Sequence, residues 1–169
     1  MAYPLLQIDP LMYGPIQKYG CFFSDILAAV ECFADHIFAA SDVNRIWDQC
    51  ISQRFLQQIN LSKGDSDYYI TNQNGIGDHV LNLVGLHDWK FRVIGSESFC
   101  EDYTTWGADH TDPRIDFGIR CGRTSHGNTH FRLADNVGVI LYDPDPLVVI
   151  TGELRIDWIA LLPRTNNMA

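Results

Sequence analysis

Hydrophobic residues recur every three or four positions near the start of the chain and predict a long amphipathic helix over about residues 22–40. The apolar positions are Phe22, Phe23, Ile26, Leu27, Val30, Phe33, Ala34, Ile37 and Phe38. Similar spacing predicts a second helix that begins at Ser41 as N-cap and ends near Gln58. A third, shorter helix is predicted over residues 76–86, after the break at Asn74-Gly75.

After Leu86 the hydrophobic period changes from the helical value to alternation, which is typical of half-buried strands. The predicted strands cover residues 68–70, 91–94, 115–121, 130–133, 137–142, 147–150 and 154–161. Residues 61–67 form a polar, turn-rich connection. Helices followed by a run of antiparallel strands predict an α+β fold.

Composition narrows the range of partners. The 169 residues are 46% apolar and 20% charged, which favours a single globular domain over 1–169. The net charge of -9 argues against nucleic acid and anionic membranes, because phosphates would be repelled. The N-terminal residues resemble no signal peptide and no apolar run is long enough to span a membrane, so a cytoplasmic protein is expected.

The five cysteines are odd in number and lack C-x-x-C spacing, so no disulfide framework, zinc ribbon or cofactor is predicted. Cys121, His126 and His130 could act as metal ligands, but no fourth ligand is evident. An oxygen-rich stretch between residues 65 and 74 lacks the spacing of a calcium loop and is interpreted as a solvated loop. No metal site is expected.

Cys21 lies where the first long helix begins, next to Gly20. Unpaired backbone N–H groups and the positive end of the helix dipole favour an anion there. A thiol at this position tends toward the thiolate, which is the nucleophilic form. The alternative is that Cys21 is a small buried residue without chemistry.

His130 and Asp143 are the best partners for such a thiol. His130 begins one predicted strand and Asp143 follows the next, so a hairpin brings the two together. A nucleophilic thiol, a histidine base and an acceptor that orients the histidine make up a cysteine peptidase site. Alternatively, His130 caps a strand at the surface and Asp143-Pro144 is an ordinary turn.

Three short motifs occur in the order Gln17-Lys18-Tyr19-Gly20-Cys21, His130-Phe131 and Tyr142-Asp143-Pro144. Together they resemble papain-like cysteine peptidases, most closely the double-glycine leader peptidases and their stand-alone phage or bacterial relatives. The resemblance spans about residues 7 to 161. It implies a papain-like fold, with the nucleophile at the start of the first long helix and an antiparallel sheet after the helices.

The resemblance also implies roles for individual residues. Cys21 would form an acyl-enzyme thioester, His130 would relay the proton, and Asp143 would orient the imidazole. Gln17 would donate its side-chain amide to the oxyanion, beside the backbone N–H of Cys21. The spacing departs from the family pattern, since Gln17 stands closer to the cysteine than usual and Gln7 could replace it only through a loop that folds back.

The resulting hypothesis is a thiol protease that cleaves a peptide or isopeptide bond in a peptide, a protein or a peptidoglycan peptide. A second hypothesis is a catalytically inactive papain-fold module with a binding or structural role. It is motivated by the glutamine spacing and by the bulky Phe22-Phe23 after the cysteine. A third is an acyl or amide transferase, because an amine can capture the same thioester.

Overall fold

The computed structural model describes residues 6–60 and 66–165, which form a mixed α+β structure. The helices are α1 (Gly14–Tyr19), α2 (Cys21–Ala34), α3 (Ala40–Ser52) and α4 (Gln73–Leu83). The strands are β1 (Leu56–Asn60), β2 (Ser66–Ile70), β3 (Trp89–Ser98), β4 (Trp106–Gly107), β5 (Phe117–Thr124), β6 (Thr129–Ala134), β7 (Ile140–Tyr142) and β8 (Ile150–Pro163). None of the helices among the described residues is long and apolar enough to cross a membrane.

Helix α2 is the centre of the fold and is buried over most of its length. It follows α1 without a loop, and only glycine fits at the junction, since a Cβ on Gly20 would lie 2.5 Å from the Ile16 carbonyl oxygen. The helix ends at Asp35, which has a left-handed φ of 51°. The predicted extension to residue 40 was therefore wrong. Phe38 is buried, but it lies in the irregular segment after the helix.

Helix α3 is shorter than predicted. It begins at Ala40 rather than with Ser41 as N-cap, and the Asp42 carboxylate accepts the Ala39 N–H at its start. It ends at Ser52, after which Arg54 takes a left-handed φ of 62°. The chain then forms β1, which pairs antiparallel with β2. The helical prediction to Gln58 missed this strand, because its Gln57-Gln58 pair gives no clear alternation.

Helix α4 begins earlier than predicted. The Asn72 side chain accepts the Gly75 N–H at 2.8 Å, so Asn74-Gly75 lies in the first helical turn and does not break the chain. Gly77 lets this helix approach β3 closely, because a Cβ there would overlap the Phe91 ring.

The main sheet has six antiparallel strands in the order β4-β3-β8-β5-β6-β7. The predicted strands that begin at His130 and end at Tyr142 are neighbours, although the second is formed only by Ile140–Tyr142. Residues 147–149 form a turn rather than a strand. The largest hydrophobic cluster joins α2, α3 and α4 to one face of this sheet, with Phe23, Ile46, Val80 and Phe91 fully buried or nearly so.

Candidate functional site

His130 and Asp143 are hydrogen-bonded across the β6–β7 hairpin. The Nε2 atom of His130 lies 2.7 Å from Oδ1 of Asp143, and the imidazole is only 4% exposed. A carboxylate can only accept a hydrogen bond, so the ring carries a hydrogen on Nε2, and in the neutral imidazole Nδ1 is the nitrogen with the lone pair. The backbone N–H of Asp145 also bonds Oδ1 of Asp143 at 3.1 Å, which fixes the carboxylate.

Cys21 is the first residue of α2, and its side chain reaches the edge of β6. The nearby backbone N–H groups of Phe131, Phe22 and Cys21 itself each lower the pKa of its thiol. The Phe22 and Phe131 rings meet edge to face beside it, with centroids 4.8 Å apart. The start of α2 and strand β6 therefore place the Cys21 thiol next to Phe131, the residue that follows His130.

Cys21 and His130 line one open cleft of about 980 Å³. Most of the remaining wall comes from α1, from the turn between β5 and β6, and from Asp145 and residues 147–149, and Gln7 and Tyr68 also line it. A second cavity of about 310 Å³ also borders Cys21 and is lined largely by aromatic side chains, with the Arg155–Asp157 ion pair at its wall. Cys21, which is half-buried, thus borders both spaces.

The pKa of the Cys21 thiol differs from the prediction. Burial, and after it the charge of ionised Asp25, raise the pKa of the Cys21 thiol to about 12, although the backbone N–H groups of Phe131, Phe22 and Cys21 each lower it. The prediction of a thiol that tends toward thiolate was based on the helix start alone and is wrong for the resting site. Desolvation outweighs the helix dipole here because the sulfur lies between α2 and β6.

No hydrogen bond joins the Cys21 sulfur to the His130 imidazole within residues 6–60 and 66–165. The hydrogen bond that fixes the ring uses Nε2, so Nδ1 is the nitrogen available to the thiol. Contacts between nucleophile and base are often loose in ligand-free sites. The structure therefore brings the two residues to one cleft without a direct bond.

Gln17 lies at the wall of the same cleft, but its amide is occupied. Nε2 donates to the carbonyl oxygens of Asp9 and Met12, both at 3.0 Å, and so ties the N-terminal segment to α1. Both amide hydrogens are used in this arrangement. Its predicted role as an oxyanion donor would require the release of one of these bonds.

Gln7 is far from Cys21 along the chain, but it lies close to the site in the structure. The N-terminal segment folds back, so that the Gln7 N–H donates to the Pro144 carbonyl oxygen at 2.9 Å. Its amide nitrogen donates to the carbonyl oxygens of Ile16 and Gln17, at 3.2 and 2.8 Å. Gln7 thereby links the turn after Asp143 to the helix end before Cys21, and its buried Oε1 has no partner among the described residues.

Among the described residues, no group of three or more His, Cys, Asp or Glu side chains is placed to hold a metal ion. Cys121 is buried in β5, whereas His126 is exposed in the turn that follows this strand. Asp65 of the oxygen-rich stretch lies outside the described residues.

The sequence matches no family model, and no curated protein or solved structure is significantly similar to it. The function of this protein is therefore inferred from the site itself.

Proposed function

We propose that this protein is a papain-like cysteine hydrolase that cleaves a peptide or isopeptide bond through a thioester on Cys21. The observation that carries the proposal is the shared cleft, which is lined by Cys21 at a helix start and by the buried His130, whose ring is hydrogen-bonded to Asp143. A nucleophile, a base and an orienting carboxylate are the three elements that this chemistry requires. The open cleft has room for an extended segment of a peptide, protein or peptidoglycan peptide.

Because the pKa of Cys21 is raised, the thiol would need a base to lose its proton, and His130 would be that general base. Nδ1 would accept the thiol proton as Sγ bonds to the substrate carbonyl carbon. The tetrahedral intermediate then collapses, the C–N bond breaks, and His130 returns the proton to the leaving amine. Water hydrolyses the thioester by the same proton relay and releases the acid.

The negative charge on the carbonyl oxygen needs donors during both steps. The backbone N–H of Cys21 is at the first turn of α2 and is the first candidate. Gln17 would be the second donor after one of its bonds to Asp9 or Met12 opens. Each such donor typically contributes about 3 kcal/mol to transition-state stabilisation.

A second function is a catalytically inactive papain-fold module that binds peptides. Two observations favour it: the high pKa of Cys21 and the lack of a bond from its sulfur to His130 within the described residues. The same cleft would then bind a peptide without cleaving it.

The test is to incubate the protein with a random peptide mixture and to follow products by mass spectrometry. Acid quenching preserves a thioester, so an acyl adduct on Cys21 should appear with the cleaved peptides. Cys21→Ala is the inactive variant, and Cys32→Ser is the matched control because Cys32 is an exposed thiol on the same helix. Peptides that bind equally to wild type and Cys21→Ala, with no cleavage by either, would establish the inactive module instead.

A further inference from the structure

Gln7 connects the two parts of the chain that carry the proposed catalytic residues. Its backbone N–H donates to the carbonyl oxygen of Pro144, which directly follows Asp143, at 2.9 Å. Its side-chain nitrogen donates to the carbonyl oxygens of Ile16 and Gln17, at 3.2 and 2.8 Å. Both of these acceptors are carbonyl oxygens, so only the NH2 end of the amide can face them, and the orientation of the side chain is fixed.

The Gln17 carbonyl matters because of its position relative to Cys21. In a continuous α-helix, this carbonyl oxygen would accept the N–H four residues later, which is that of Cys21. The helix is instead interrupted at Gly20, whose N–H donates to the Ile16 carbonyl oxygen at 2.8 Å. Among the described residues, no backbone hydrogen bond joins the Cys21 N–H to the Gln17 carbonyl oxygen, which accepts the Gln7 amide.

The burial of Gln7 indicates that its donated hydrogen bonds are specific. The residue is only 4% exposed, and its buried Oε1 has no hydrogen-bond partner among the described residues. A buried acceptor without a partner destabilises the folded state, and an apolar side chain would avoid this penalty. The two bonds from the amide nitrogen are therefore what a glutamine contributes at this position.

We propose that Gln7 is a positioning residue that keeps the Cys21 N–H free for the substrate oxyanion. Its amide directs the Gln17 carbonyl oxygen away from Cys21, and its backbone bond to Pro144 holds it in place. Without this amide, α1 and α2 would join, and the Cys21 N–H would bond the Gln17 carbonyl oxygen. The effect on reactivity rests on the proposed function, whereas the interruption of the helix does not. Gln7 acts through Cys21 and touches no reacting atom.

Two reactions of Cys21 separate the oxyanion from the thiol. With p-nitrophenyl acetate, the sulfur bonds to the carbonyl carbon, the ester C–O bond breaks, p-nitrophenolate leaves, and His130 takes the thiol proton. The carbonyl oxygen carries negative charge in the intermediate and needs donors. With iodoacetamide, the sulfur displaces iodide from a methylene carbon and no oxyanion forms. Mass spectrometry follows both products at Cys21.

The test variant is Gln7→Met, because methionine has a similar length and shape but no donor. The matched control is Gln49→Met. It removes the hydrogen bond between Gln49 on α3 and His79 on α4, and Gln49 lines neither the cleft nor the second cavity beside Cys21.

We expect Gln7→Met to slow acylation by about tenfold or more, since the loss of one oxyanion donor typically slows catalysis about 10²–10³-fold and this donor is diverted rather than removed. Alkylation should stay within about threefold of the wild-type rate, because it needs no oxyanion donor. Hydrogen exchange at the Cys21 amide should slow by about tenfold or more, because its N–H gains the Gln17 carbonyl oxygen as acceptor. Gln49→Met should leave all three readouts unchanged.

Equal slowing of acylation and alkylation, or unchanged Cys21 exchange in a folded Gln7→Met variant, would overturn the proposal. If this variant does not fold, NMR couplings across hydrogen bonds in the wild type decide. A coupling between the Cys21 amide nitrogen and the Gln17 carbonyl carbon contradicts the proposal, whereas a coupling from the Gln7 side-chain nitrogen to that carbon supports it.

Failure of the proposed function has a different signature. In that case His130→Ala leaves both the acylation and the alkylation of wild-type Cys21 unaffected. Exchange at the Cys21 amide still reports whether Gln7 interrupts the helix.

Discussion

Glu31→Gln should make the protein less sensitive to alkaline pH. Glu31 lies on α2, is 4% exposed, and its Oε2 has no partner among the described residues. Burial raises its pKa from 4.5 to about 8, and the Phe38 N–H offsets only part of this effect. The side chain is therefore protonated in the folded protein at neutral pH, whereas it is ionised in the unfolded chain.

The sign of the pH dependence follows from the direction of the shift. The folded state binds the proton more tightly, so the stabilisation is complete below about pH 4.5 and is lost as the pH rises toward 8. Each unit of pKa difference corresponds to about 1.4 kcal/mol, which gives a loss of about 3 kcal/mol between pH 5 and pH 8. This is a large part of the roughly 5–15 kcal/mol that stabilises a typical domain.

The assay is urea unfolding at pH 5, 6.5 and 8 for wild type and Glu31→Gln. Gln has the same shape and cannot ionise, so wild type should lose about 3 kcal/mol more than the variant over this range. Other buried acids, such as Asp25, titrate in both proteins and cancel in the difference. Glu101→Gln, at an exposed position, should follow wild type. Parallel curves for wild type and Glu31→Gln would refute the reasoning.

Two further predictions concern packing and the site. Gly77→Ala should destabilise the protein by about 3 kcal/mol or more, because the new Cβ would overlap the Phe91 ring. The control is Gly14→Ala, which should change stability little because the space at its Cβ is open. Thermal unfolding of the two variants compares these effects. Asp143→Asn should slow the alkylation of Cys21 by about tenfold or more, because an amide can stabilise the wrong tautomer of His130. A rate within twofold of wild type would show that the carboxylate does not orient the ring.

The sequence predicted the parts of the site that local patterns encode. Helical periodicity placed Cys21 at the start of α2, and alternation placed His130 and Asp143 on one hairpin. The end of α2 was missed because Ile37 and Phe38 continue the helical spacing beyond the left-handed Asp35.

Long-range contacts explain what the sequence could not show. Gln7 reaches the site only because the N-terminal segment folds back onto Pro144, and no local pattern signals that contact. Asp25 is a polar residue within an apolar helix, and the periodicity does not show that it is fully buried. The pKa of Cys21 likewise depends on tertiary burial, which exceeded the local effect of the helix start.

The most direct test of the Cys21–His130 pair is the alkylation rate of each cysteine with iodoacetamide from pH 5 to 9, followed by mass spectrometry. We expect His130→Ala to slow the alkylation of Cys21 by about tenfold or more and to leave the rate at Cys32, the exposed thiol, unchanged. The Cys21 rate in wild type should also exceed that of buried Cys50, whose pKa is likewise raised to about 12 by burial. Equal Cys21 rates in wild type and His130→Ala would contradict the account, because the imidazole would then play no part in thiol chemistry.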